Sequence, residues 1–206
     1  LTNNPTRTDV GSLGGLLSRP RGIAIISYNN NWHGLVTNFN PAIGTANVVR
    51  LDFGNSLSNT PVAIDLGTFS GRVTQPQAVQ WVTDQGDLIA LIGDRSQRKI
   101  LMINFEQDPK ASTFEFNEIN FSGSGFFRDF SIVRGEDRWY GLAVFENGGI
   151  HKINFTSLLF NTPQTIELTA DLPTFTTPSN VIFLRDVDRF VAIVSEYGGV
   201  LKNLDF

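Results

Sequence analysis

The chain has 206 residues, 41% of them hydrophobic and 17% charged, with 19 glycines, 17 phenylalanines, one methionine, no cysteine and a formal net charge of −4. A chain of this length buries one sizeable core, which excludes disorder and a disulfide-stapled miniprotein, and its acidic balance argues against a nucleic acid partner. Without a thiol there is no disulfide, cysteine nucleophile or thiolate metal site, and zinc would have to come from the two histidines plus carboxylates; no metal or other cofactor is expected, and no apolar run approaches the roughly 20 residues of a membrane span.

The first residues, LTNNPTRTDVGSLGGLL, match a segment that recurs downstream as LSNTPVAIDLGTFSG, so 1–17 reads as the last strand of a repeated unit. The opening carries neither a signal peptide nor an initiating Met, and the chain is expected to be a mature or excised piece. A first complete unit follows over 18–73. Its strands are expected at 22–27, 32–37, 47–53 and 62–66, short runs alternating apolar with polar residues and bounded by Gly, Asn, Asp or Pro. Asn29, Asn30 and Asn31 mark its first hairpin. The second unit, 74–126, begins QPQAVQWVTDQGDLIALIGD and turns at Asp84, Gln85 and Gly86. The third, 127–176, begins FRDFSIVRGEDRWYGLAVFEN, with turns at Arg134 and Gly135 and at Gly148 and Gly149. The fourth, 177–206, contains TPSNVIFLRDVDRFVAIVSEY and a turn at Gly198 and Gly199.

Anchored on Pro20, Pro76, Phe127 and Pro178, the units lie 56, 51 and 51 residues apart. Twelve positions beyond each anchor stands a large apolar residue: Trp32, Leu88, Trp139 and Phe190. A tripeptide then recurs as LDF or INF, ending at Phe53, Phe105, Phe155 and Phe206. Interchange of aromatic and aliphatic residues marks the first position as core between units, and each buried Phe is worth about 2–3 kcal/mol. Four strands in each of four units of about 51 residues predict an all-β fold, a single β-propeller domain over 1–206. The last unit stops after its third strand. The N-terminal strand is therefore expected to complete the last blade and cover its edge, giving either a closed four-bladed ring or a window of a larger propeller.

Segments such as VVRLDFGNSLSNTPVAIDLGTFSG, TDVGSLGGLLSRPRGIAII and NNNWHGLVTNF resemble the repeats of large secreted proteins of Bacteroidota. Those proteins often join propeller-like repeats to PKD-type modules and a sorting domain of the type IX secretion or gliding-associated kind. NHL-type propellers are a looser likeness. The resemblance covers essentially the whole chain, most closely over 1–70 and least over 106–127. It implies export to the cell surface or medium and a binding or structural role in a larger assembly, with no catalytic residues.

His33 and His151 occupy non-equivalent positions with no nucleophile beside them, and both read as structural or surface residues. Asp186 and Asp188 fall in an expected hairpin turn, while Asp52, Asn104, Asn154 and Asp205 repeat at one strand position, so these too read as architecture. GSLGG at 11–15 lacks the Lys-Ser/Thr of a phosphate loop. No catalytic or metal-ligating set is predicted. A binding site is expected where loops enter the innermost strands. Those entrances carry Arg19, Arg21, Gln75, Gln77, Arg128, Asp129, Ser179 and Asn180. The other loops on that face add Asn38, Asn40, Asp94, Arg95, Arg98, Glu146, Asn147, Glu196 and Tyr197. The function expected is a non-catalytic secreted or cell-surface module, serving adhesion or scaffolding with protein or glycan partners and without membrane insertion. A lectin-like carbohydrate binder is one alternative and a polysaccharide-degrading hydrolase or lyase the other.

Overall fold

The computed structural model describes residues 9–168 and 175–206, which form strands and turns and, among the described residues, no helix. Blade 1 is the antiparallel sheet β1 (Pro20–Tyr28), β2 (Asn31–Asn40), β3 (Thr45–Gly54) and β4 (Val62–Gly67). Blade 2 comprises β5 (Pro76–Asp84), β6 (Asp87–Asp94), β7 (Lys99–Asn104) and β8 (Glu115–Asn120). Blade 3 comprises β9 (Phe127–Arg134), β10 (Trp139–Phe145), β11 (Ile150–Asn154) and β12 (Gln164–Glu167). Blade 4 has three described strands, β13 (Pro178–Asp186), β14 (Arg189–Glu196) and β15 (Val200–Asp205). The repeated anchors thus open the innermost strands, and the fold is a β-propeller of repeated four-stranded blades.

Local chemistry explains the hairpins. Asn29 and Asn30 have φ of 47° and 59°, and Gln85 and Gly86 have 52° and 93°. A two-residue turn with both φ positive matches the twist of the flanking strands, and Asn and Gly adopt it at least cost. Blade 3 turns more widely, with the Gly135 N–H donating to the Arg138 carbonyl at 2.8 Å.

The blades pack in chain order, β1 and β2 on β5, β5 and β6 on β9, and β9 and β10 on β13. No comparable packing joins blade 4 back to blade 1 among the described residues. Polar side chains stitch the innermost strands together. The Thr37 hydroxyl donates to the Gln77 carbonyl, Gln80 exchanges two bonds with the backbone of Ile132, and Asp129 and Ser131 accept from the N–H of Val181 and Phe183. Apolar side chains fill the seams. Phe127 lies so close to Gly93 that a Cβ there would come within 2.2 Å of the ring.

The repeated apolar positions follow this order of packing. Leu88, Trp139, Phe105 and Phe155 are buried, whereas Trp32 and Phe53 in blade 1 and Phe190 in blade 4 are half-buried, and Phe206 is exposed. Of the strand expected over 1–17, residues 1–8 lie outside the described residues. Residues 9–17 contain turns, and Leu13, Leu16 and Leu17 pack on Val36, Val49 and Leu51. Strand alternation puts those three on the face of blade 1 turned away from blade 2. Both histidines are buried within blades: His33 Nδ1 lies 2.9 Å from Asp52 Oδ1, and His151 packs against Phe121 and Phe145.

Candidate functional site at the channel mouth

One structural device recurs at the start of every innermost strand. The ladder between first and second strands skips Arg21 in blade 1, Gln77 in blade 2, Arg128 in blade 3 and Ser179 in blade 4. Each is a β-bulge one residue after the anchor. A bulge bends the strand and re-aims its side chain, and bulges concentrate beside functional sites.

A second ring surrounds the first. The N–H groups of Phe39, Arg95, Glu146 and Tyr197 donate to the carbonyls of Arg19, Gln75, Phe126 and Thr177, which lie one position before the anchors. These four residues are therefore equivalent, nineteen positions beyond their anchors, and are held beside the bulges by the backbone. In three blades the preceding residue is a latch. Asn38 Oδ1 accepts from the N–H of Ser18 and Arg19, Asp94 from Thr74, Gln75, Ser96 and Gln97, and Glu196 from Thr176 and Thr177. Burial pushes the Asp94 carboxyl up, but its backbone N–H bonds outweigh that and hold it below the usual range. Lys202 and the Thr176 N–H lower Glu196 likewise. In blade 3 the latch position holds buried Phe145, and the Arg98 guanidinium lies over its ring while gripping the carbonyls of Ser122, Ser124 and Gly125. Asn147 secures the same loop through Ser124 Oγ.

Of the predicted site residues, Asn38, Asp94, Arg98, Asn147 and Glu196 thus spend their polar groups on loop architecture. Arg21, Arg95, Arg128, Glu146 and Tyr197 come together instead. Glu146 accepts from Arg128 Nη2 at 2.7 Å and faces Arg95 Nη2 at 3.5 Å. The Arg128 guanidinium carbon lies 5.3 Å from the Tyr197 ring centre, and that of Arg95 lies 4.0 Å from Phe126. Desolvation, and then the charges of Arg19, Arg95 and Arg128, lower the pKa of Arg21, while Tyr197 acts the other way. Gln77 sits on the second bulge, with its carbonyl accepting from Thr37.

Asp129 follows the third bulge. Burial raises its carboxyl to about 6 against the opposing bonds from the backbone of Val181 and Phe130 and the side chain of Asn180. The mouth therefore holds two acids in unlike surroundings, Asp129 half-buried between blades and Glu146 between guanidiniums. Phe126 escaped the sequence reading, although its place just before an anchor was a usable signal. No group of three or more metal-ligating side chains occurs among the described residues.

No family model matches the chain, and no curated protein matches it in sequence. Solved structures do share its fold. An α-L-arabinofuranosidase from Podospora anserina, in complex with cellotriose, superposes with a TM-score of 0.64 at 12% identity, covering 92% of this chain and 64% of that one. A family 43 β-1,3-galactosidase gives 0.62 at 11%, covering 89% and 41%. An exo-β-1,3-galactanase from Phanerochaete chrysosporium, with β-1,3-galactotriose, gives 0.62 at 10%, covering 86% and 42%. The chain spans less than two thirds of the length of these neighbours, and what it shares with them is the propeller fold. Their being glycoside hydrolases overturns the expectation of a non-catalytic adhesion or scaffolding module that is no enzyme. That expectation weighed catalysis only on the carboxylates of a hairpin turn and of a repeated strand position, and took Asp129 and Glu146 as binding residues alone.

Proposed function

We propose that the chain is the sugar-handling propeller of a polysaccharide-degrading glycoside hydrolase, with the reaction at the channel mouth. The observation that carries this reading is Asp129, a half-buried carboxyl raised to about 6, on the strand that also delivers Arg128 beside Glu146. Two carboxyl groups in unlike environments are what glycosidic hydrolysis uses. Asp129 Oδ2 accepts from the Val181 N–H, which holds the carboxyl in place between the blades. In the proposed step Asp129 gives its proton to the leaving glycosidic oxygen as the bond from that oxygen to the anomeric carbon breaks. Water adds to that carbon, and its proton passes to Glu146. The fold held in common with arabinofuranosidases and galactanases supports the reading, and the resemblance of the repeats to those of secreted Bacteroidota proteins suits action on an extracellular glycan.

Hydrolysis of a panel of arabino-, xylo- and galacto-oligosaccharides by the purified protein tests this. Asp129→Asn and Glu146→Gln should each lower kcat by about 10²–10⁴. Because Asp129 acts protonated, activity should fall as pH rises through about 6. No turnover of any substrate, or turnover that survives both substitutions, overturns the proposal.

A further inference from the structure

The charge at the mouth is unbalanced. Arg95 and Arg128 share the single carboxylate of Glu146, and Arg21 makes no ion pair among the described residues. Of the other carboxylates at this end, Asp129 turns to the backbone of Val181 between the blades, and Asp94 and Glu196 are committed to backbone N–H groups and to Lys202. Arg128 Nε is buried without a hydrogen-bond partner. Blades 1, 2 and 3 each supply one guanidinium here, two of them at equivalent bulges, so the convergence is built by the repeat. Two exposed aromatic residues flank the charges, Tyr197 at 62% and Phe126 at 45% exposure, each with a guanidinium over one face of its ring.

A neutral sugar gives three arginines nothing to neutralise, whereas a carboxylate on a pyranose ring does. The planar guanidinium matches a carboxylate through paired N–H bonds, and desolvating like charges in the absence of an anion is unfavourable. Exposed aromatic side chains provide an amphipathic surface beside which the ring can lie.

We propose that the mouth recognises an acidic glycan through the carboxylate of a uronate unit, bound by Arg21, Arg95 and Arg128, with Tyr197 and Phe126 beside the sugar ring. This rests on the glycan reading above and narrows it to anionic substrates. A sulfate ester offers the same charge with tetrahedral geometry, and the assay separates the two.

Calorimetric titration compares trigalacturonate, its methyl ester, neutral galactotriose and sulfated galactotriose. Trigalacturonate should bind at least tenfold more tightly than the ester or the neutral sugar, with an affinity that falls as salt rises. Arg21→Gln and Arg95→Gln should each weaken that binding about tenfold and weaken galactotriose binding several-fold less. Arg21 is exposed, so its variant keeps the fold and decides the matter if the Arg95 variant does not. Equal affinity for acid and ester, or acid binding untouched by Arg21→Gln, overturns the proposal, and tighter binding of the sulfated sugar overturns the uronate assignment. Binding is read without turnover. Uronate binding with no hydrolysis of any glycoside would remove the hydrolase reading alone, and cleavage of neutral glycosides without acid preference would remove this inference alone.

Discussion

Blades 2 and 4 are built from the same repeat yet meet water very differently. In blade 2, β7 is buried along its whole length and β6 at every residue after the first. In blade 4, β15 is buried only at Leu204, and the face of β13 turned from blade 3 leaves Ile182 and Leu184 half in water. In blade 1, Ile23 and Ile25 are also exposed, although their repeat equivalents Val181 and Phe183 are buried against blade 3, and Leu13, Leu16 and Leu17 cover the neighbouring Val36, Val49 and Leu51. The difference teaches that an apolar position in a repeat specifies only a capacity for burial. Whether it is buried depends on a neighbour on that side.

The strongest way to break this comparison is to empty the two kinds of surface. Phe127→Ala, at the seam of blades 2 and 3, should cost about 3–5 kcal/mol in urea denaturation, because the ring fills the space over Gly93. Ile182→Ala on the open face of blade 4 should cost under about 1 kcal/mol, since little apolar area returns to water. Equal losses would mean that both faces are covered in solution.

The latch at Asp94 sharpens the contrast at the level of hydrogen bonds. Asp94→Ala strands the N–H groups of Thr74, Gln75 and Gln97 and should cost about 2–3 kcal/mol. The carboxyl lies below its ordinary value of 3.8 in the folded chain. Its contribution is therefore complete above that pH and is lost as pH falls through the lowered folded value. Acid denaturation of Asp94→Asn should lack that loss, and an unchanged acid limb would show that the latch does not carry it. The smallest effect is expected where the N-terminal segment lies on blade 1. Leu16→Ala should lower stability by about 1 kcal/mol, since Leu16 is only partly buried there, and a loss as large as that of Phe127→Ala would make this face a true seam.

Much of the site was legible without coordinates, and the reason is specific. Arg21, Gln77, Arg128 and Ser179 stand one position after their anchors, and Arg95, Glu146 and Tyr197 stand nineteen after theirs, so counting from the repeat places them on one face. What counting does not separate is Asp94 from Arg95 or Glu196 from Tyr197. Adjacent residues on a strand end point in different directions, and one becomes a backbone latch while the other faces the mouth. Asp129 was among the candidate binding residues, but its proton affinity depends on burial between β9 and β13.

The repeat, its period of about 51 residues, its turn chemistry and the all-β architecture were determined by the sequence alone, because alternation of side chains and left-handed turn residues are local properties. Tertiary structure decided the rest. It set which repeated positions are buried, where residues 9–17 lie, which polar residues hold loops and which arginines meet. Each of these depends on packing and electrostatic fields between segments some fifty residues apart, and these exist only once the blades stand side by side.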